Sequence, residues 1–130
     1  MEEIKENPEC KFITLTYSNE SYKELVIAAR EKTKNKNLKG YELDNEIAKI
    51  SVKRFLNRWR KEHKKVVRRW FITELGGKNT EHLHMHGIIW ETDLEKVERI
   101  WKYGYIWKGK KKNGKIINYV SDRTINYMHV

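Results

Sequence analysis

One segment organises this sequence: Thr80-Glu81-His82-Leu83-His84-Met85-His86-Gly87-Ile88-Ile89-Trp90. Its histidines fall at alternate positions, and a β-strand sends alternate side chains to the same face. The three imidazoles therefore share one face of the predicted strand, and Leu83, Met85 and Ile89 share the other face, toward a core. The segment predicts a strand that is buried on one side and carries imidazoles on the other.

Imidazoles spaced this way suit a metal ion. Histidines two positions apart in a strand have Cα atoms about 6.6 Å apart, so their ring nitrogens can converge on one ion. Imidazole binds Zn, Mn, Fe, Ni or Cu, and a carboxylate or water tends to complete such a site. The alternative is a polar face turned to solvent. The spacing favours the metal site.

The segment before the histidines predicts the other half of a hairpin. Residues 66–74 (Val66 to Glu74) are typical of a strand, and Gly76-Gly77-Lys78-Asn79 is typical of a turn. The histidine strand should then return antiparallel beside residues 66–74. Such pairing places Glu74 close to the start of the histidine strand.

The N-terminal half predicts one strand and two helices. Residues 1–10 form a flexible polar lead-in, and residues 11–17 a strand with Phe12 and Thr14 on one face. Helical apolar stripes cover residues 20–31 and 44–63, with a loop between them. Ser18-Asn19 can cap the first helix, and Asp44 or Asn45 the second.

The C-terminal part predicts a helix, a hairpin and a last short helix. Thr92-Asp93 should cap a helix over residues 94–103. Asn113-Gly114 lies between residues 105–108 and 115–119, and Asn-Gly between apolar runs is a strong hairpin signal. A short helix should start at Ser121. The order β, α, α, β, β, α, β, β, α predicts one α+β domain over residues 1–130, an antiparallel five-stranded sheet with helices mainly on one face.

Charge and cysteine content narrow the function class. Lys and Arg number 28 against 18 Asp and Glu, a net charge of +10, which favours a polyanionic partner. No apolar run approaches the roughly 20 residues of a membrane-spanning helix, and the N-terminus does not have the pattern of a signal peptide. The single Cys10 excludes an internal disulfide and fits the cytoplasm. Nucleic acid is therefore the expected partner.

The second helix carries the candidate contacts to DNA. They are basic residues of its second half: Lys53, Arg54, Arg58 and Lys61. Such a run can bind phosphates, although a solvated helix face is the default for it. Several of the five Trp and seven Tyr residues can be stacking platforms for unpaired bases.

These features together point to DNA cleavage. A metal held by imidazoles can polarise a phosphodiester, and a tyrosine hydroxyl can form a covalent intermediate. Metal site, cationic surface and a tyrosine on the last predicted helix suggest an enzyme that nicks DNA and becomes linked to it.

The sequence resembles the catalytic domain of HUH endonucleases, named for histidine, a hydrophobic residue and histidine. It is most similar to replication initiators of microvirus-type single-stranded DNA phages, and more loosely to those of rolling-circle plasmids. Five pieces match in the family's order, over roughly residues 11–128: residues 12–17, 55–63, 73–76, 84–90 and 124–127.

The resemblance implies roles for individual residues. His84 and His86 would bind a divalent metal, manganese or magnesium, with Glu74 as the third ligand. His82 would lie beside the site or compete as a ligand. Tyr127 would be the nucleophile that forms a 5′-phosphotyrosine and leaves a free 3′-OH, and Tyr119 is its rival.

Two features of the sequence depart from the family pattern. Leu83 stands where a proline is usual, and the usual lysine and second tyrosine after the tyrosine helix are not found before Val130. Either the chain is a trimmed catalytic domain or another residue fills the lysine's role. Expected partners are single-stranded origin DNA and, beyond it, a helicase or host replication proteins, in the host cytoplasm if the protein is viral.

The same sequence features also fit other functions. A related single-strand transposase or relaxase would use the same chemistry on another substrate. A non-catalytic module would bind single strands through its basic and aromatic residues. A zinc hydrolase using water would cleave without any tyrosine.

Overall fold

The computed structural model describes residues 6–7, 9–74, 83–118 and 120–121. Three helices lie in these ranges: α1 (Asn19–Thr33), α2 (Gly40–His63) and α3 (Leu94–Trp101). The strands are β1 (Glu6–Asn7), β2 (Lys11–Leu15), β3 (Arg69–Glu74), β4 (His84–Ile89), β5 (Ile106–Trp107), β6 (Lys110–Lys112), β7 (Lys115–Ile117) and β8 (Val120–Ser121). None of the helices in the described ranges has the length and apolarity needed to cross a membrane.

The central sheet is antiparallel and has four strands, in the order β3-β4-β2-β5. The α+β class and the pairing of β3 with the histidine strand β4 are confirmed. The predicted five strands are wrong for the described part of the chain, because β6 pairs with β7 and β1 with β8 in two separate ribbons. One of these strands, β1, falls in the predicted lead-in.

The Asn118 side chain takes the place of a strand beside the start of β2. The Phe12 N–H donates to Asn118 Oδ1 (2.9 Å), and Asn118 Nδ2 donates to the Phe12 carbonyl oxygen (2.6 Å). An amide side chain therefore satisfies the backbone of β2 beyond the two-residue β5. The predicted turn at Asn113 and Gly114 is present, with φ of 52° and 78°, but it joins β7 to the fully exposed β6 rather than to residues 105–108.

The helices pack on one face of this sheet. Ile13, Leu15, Met85 and Ile89 project from β2 and β4 into the main core, where they meet apolar side chains of all three helices. The predicted alternation is confirmed, since Phe12 on the opposite face is 38% exposed. Trp101 of α3 also donates its indole N–H to the Thr16 carbonyl oxygen at 2.8 Å, which ties this helix to the end of β2.

The helix ends differ from the sequence prediction in part. Ser18 and Asp93 cap α1 and α3 as predicted. The capping role predicted for Asp44 is wrong, because α2 begins four residues earlier at Gly40, where Leu43 adds a buried residue to its first turn. Asp44 instead accepts a hydrogen bond from the Tyr22 hydroxyl (2.7 Å) and joins α1 to α2.

Among the described residues, those outside the sheet cover its other face at one end only. Cys10, Ile88 and Val120 form a small buried cluster with Trp90 against it. Val120 is part of β8, which also includes Ser121, so the helix predicted to start at Ser121 is wrong at that position. This cluster lies at the end of β4 that follows the histidines, and no comparable cluster of the described residues covers the histidine end.

Candidate metal centre

Glu74, His84 and His86 meet at the open end of the sheet. Glu74 is the last residue of β3 and is paired with His84 in the ladder, while His86 follows on the same face of β4. The Nε2 atoms of His84 and His86 lie 3.1 and 2.5 Å from the same Glu74 oxygen, Oε2. The structure thus brings together the three residues predicted as metal ligands.

A glycine allows the strands to come this close beside the histidines. A Cβ atom at Gly87 would lie 2.1 Å from the Trp70 carbonyl oxygen and 2.8 Å from the Phe71 Cα atom. Both are backbone atoms of β3 and cannot swing away as a side chain can. Glycine after His86 therefore keeps β3 paired with β4 and Glu74 opposite His84.

The donor set fits a divalent ion. One ligand atom from each of the three residues lies within 4.8 Å of the others. Two imidazoles and one carboxylate suit metals such as Mn, Fe or Zn, whereas Mg prefers oxygen ligands alone. The three side chains are partly exposed, between 22% and 59%. Water or a phosphate oxygen can therefore reach the remaining coordination positions.

Interactions with the two histidines keep the Glu74 carboxyl group ionised. The hydrogen bond from His86, followed by the charge interactions with His84 and His86, holds the pKa of the Glu74 carboxyl below its usual range. Glu74 is therefore ionised at neutral pH.

Thr14 supports the site and was not identified as a site residue from sequence. It is paired with His86 across β2 and β4, and its Oγ1 lies 2.9 Å from His86 Nδ1. A hydroxyl can donate or accept, so it suits either imidazole tautomer. The Phe12 ring stacks on the same imidazole, with centroids 6.1 Å apart and planes at 18°. The sequence placed Phe12 and Thr14 on one face, but only the strand register places that face beside His86.

We expect Thr14→Val to weaken metal binding about 10- to 100-fold, because groups that orient a ligating imidazole typically contribute that much. The change keeps the shape of the side chain and removes the bond to Nδ1. Competition with a chromophoric chelator measures the affinity. Thr16→Val is the matched control, since the Thr16 hydroxyl donates to the Tyr105 carbonyl oxygen instead. Equal affinities for both variants would remove the orienting role.

An aromatic cleft borders the three residues. It has a volume of about 660 Å³ and is lined by Phe12, Thr14, Thr16, Ile72, His86, Tyr105 and Trp107. Trp107 and Tyr105 are 37% and 70% exposed. We call it the aromatic cleft. His86 belongs both to this cleft and to the candidate metal centre, so the two form one continuous surface.

The four basic residues predicted to contact DNA face different neighbours. Lys53 borders β3, and Arg54 pairs with Glu24 of α1 at 3.1 Å. Arg58 donates to the carbonyl oxygens of Ile100 and Trp101 at 2.8 and 2.7 Å and so joins α2 to the end of α3. Lys61 is exposed. Arg54 and Arg58 are thus held in contacts within the protein, whereas Lys53 lines a groove beside β3.

Three predicted site residues, His82, Tyr119 and Tyr127, lie outside the described residues, and their roles stay predictions. Two described tyrosines differ in their availability for chemistry. Tyr17 is buried, which raises the pKa of its hydroxyl, and it shares a hydrogen bond with Ser51 (2.7 Å). Tyr105 is exposed and lines the aromatic cleft.

Comparison with known proteins places the chain in a family. The family model described as replication-associated protein ORF2 matches residues 10–129, nearly the whole chain and all of the candidate metal centre. Searches of curated proteins and of solved structures found no significant match.

Proposed function

The chain belongs to the ORF2 family of replication-associated proteins, and we propose that it is an HUH endonuclease that nicks single-stranded DNA to start rolling-circle replication. The observation that carries the proposal is the convergence of Glu74, His84 and His86 beside an open aromatic cleft. A replication-associated family makes DNA the natural substrate, and the net charge of +10 suits a polyanion.

The three side chains would hold a divalent ion, manganese or magnesium by the family resemblance. A bound ion supplies Lewis-acid polarisation of the scissile phosphate and neutralises the charge that develops there. Glu74 brings a negative charge to a cationic surface and so selects a cation at this position. Thr14 and Phe12 keep the His86 ring in one orientation through the hydrogen bond and the stacking contact.

Tyr127 is the proposed nucleophile. Its hydroxyl oxygen attacks phosphorus and gives up its proton to solvent, and a phosphotyrosine forms on the 5′ side. The bond from phosphorus to the 3′ oxygen breaks, and that oxygen takes up a proton. Attack by a 3′-OH in the reverse direction releases the tyrosine and can close a circle. Tyr119 remains the rival for this role.

The aromatic cleft would hold unpaired bases beside the scissile phosphate. Exposed rings bind single strands by stacking with little dependence on sequence. Phe12 and Trp107 lie edge to face with centroids 6.0 Å apart, so they present a corner of two rings rather than one flat surface. A base seated there would lie next to His86.

We expect Trp107→Ala to weaken single-stranded DNA binding about 5- to 150-fold, the effect of losing one base-stacking contact of about 1–3 kcal/mol. Fluorescence anisotropy with a labelled oligonucleotide, in chelator to prevent cleavage, measures the affinity. Tyr41→Ala is the control, because Tyr41 is also an exposed ring, 72% accessible, but lies in the first turn of α2. Equal losses in both variants would argue against base stacking in the cleft.

A denaturing gel tests the proposed function. The chain is mixed with single-stranded, origin-like DNA in manganese, in magnesium and in chelator. A DNA-dependent band of higher mass that needs the metal supports covalent nicking. Binding with no cleavage in any metal would favour the non-catalytic single-strand-binding module. Cleavage that leaves no covalent band would favour a hydrolase that uses water.

A further inference from the structure

A second groove lies on the helix side of the sheet, between α2 and the edge strand β3. Its volume is about 830 Å³. One wall is a continuous face of α2 from Asn45 to Arg60, about 22 Å long at 1.5 Å per residue. The other wall is β3, from Arg69 to Thr73. We call it the α2–β3 groove.

The charged side chains that line this groove are all cationic. Lys49, Lys53, Arg60 and Arg69 line it, and none of the described carboxylates does. Within the described part of the chain, Lys53 and Arg60 form no salt bridge, and Lys49 has only a 3.6 Å contact with Glu46. On another face of the same helix, Arg54 is paired with Glu24. The α2 cations that face β3 therefore keep their charge available for an anionic ligand.

The groove follows β3 toward the candidate metal centre. Only residues 64–68 separate α2 from β3, and β3 then runs back beside the helix. The groove therefore extends along β3 from Arg69 toward Thr73. The residue after Thr73 is Glu74, the predicted metal ligand. Trp70 also borders the groove, is 42% exposed, and shares the strand face of Glu74.

We propose that the α2–β3 groove binds the phosphodiester backbone of the DNA strand on one side of the nick, with Lys53 and Arg60 each contacting a phosphate. The inference rests on the proposed function for its substrate, single-stranded DNA. Asn45 and Asn57 supply neutral hydrogen-bond donors along the same helix face. Phosphate contacts position a strand without reading its bases, so this groove would set where the DNA lies and leave sequence readout to other residues.

Salt-dependent DNA binding tests the groove separately from cleavage. The double variant Lys53→Gln/Arg60→Gln is compared with Lys23→Gln/Lys36→Gln, which removes the same charge from exposed positions outside the groove. Anisotropy with a labelled oligonucleotide in chelator gives the affinity at several salt concentrations. Each lost phosphate contact lowers the log–log salt slope by about 0.7 for single strands. We expect the groove variant to lose about 1.4 from the slope and to bind about 25-fold more weakly at about 0.1 M salt.

The outcomes separate this inference from the proposed function. A groove variant with the wild-type slope overturns the inference, even if the wild-type chain nicks DNA. An equal loss in the control variant also overturns it, because general charge would then explain the binding. A lower slope confined to the groove variant supports the groove, even if no metal produces a nick and the proposed function fails.

Discussion

Tyr127→Phe should abolish the covalent protein–DNA band while leaving DNA binding unchanged. The substitution removes one oxygen atom, and phenylalanine has no atom that can attack phosphorus, so the expected loss of adduct is complete. The measurement is the denaturing gel with labelled single-stranded DNA in manganese, beside an anisotropy titration of the same variant in chelator. Together they show that the lost step is chemistry and not binding.

Two other tyrosines are the controls for this variant. Tyr119→Phe and Tyr105→Phe remove the same oxygen from the rival predicted by sequence and from the exposed tyrosine that lines the aromatic cleft. We expect both variants to keep the band. Its loss in either one, with Tyr127→Phe still active, would move the nucleophile to that residue. Cleavage that survives all three changes would point to water as the nucleophile.

His86→Ala should remove metal-dependent cleavage, with a loss of roughly 10³-fold or more if the ion contributes several kcal/mol to the transition state. His86 contacts two other side chains at the candidate metal centre. Its Nε2 lies 2.5 Å from Glu74 Oε2, and its Nδ1 lies 2.9 Å from Thr14 Oγ1. Its side chain is 32% exposed, so the core should keep its packing. Metal affinity and cleavage should fall together, while thermal unfolding in chelator changes little.

His63→Ala is the matched control. It removes an imidazole at the end of α2, where the ring packs against Trp59 with centroids 4.8 Å apart, and it should leave metal binding intact. Glu74→Gln adds a second variant, because it keeps the size of the side chain and removes its charge. Full metal-dependent cleavage in both His86→Ala and Glu74→Gln would rule out this site as the metal centre.

Local patterns predicted much of the candidate site. Alternation of period two placed His84 and His86 on one face and Met85 on the other, and turn-forming residues after Glu74 implied the hairpin that sets it opposite His84. These relations hold because strand geometry and a short turn act on neighbours in the chain. Helix caps followed the same logic at Ser18 and Asp93 and failed at Asp44, where burial of Leu43 extended the helix.

Relations between distant residues could not be predicted in this way. Thr14 lies 72 residues from its partner His86, and its role depends on β2 packing between β4 and β5. The fifth strand was expected from an apolar run and a good turn. In the structure, Asn118 satisfies the edge of β2 with its side chain. The lysines of β6 are all exposed, so they have no apolar surface to bury against the core.

Which side chains share a strand face and which residues cap two of the helices follow from backbone geometry over a few positions, so local sequence is enough to predict them. The choice of Glu74, His84 and His86 as metal ligands came from the family resemblance, and hairpin geometry predicted only that Glu74 lies near the histidine strand. Three arrangements depend on tertiary packing: Thr14 lies beside His86, aromatic side chains of β2 and β5 border the candidate metal centre, and part of α2 forms a cationic groove with β3. Those arrangements arise because burial of the apolar faces selects one packing of distant segments, and that packing determines which polar side chains meet on the surface.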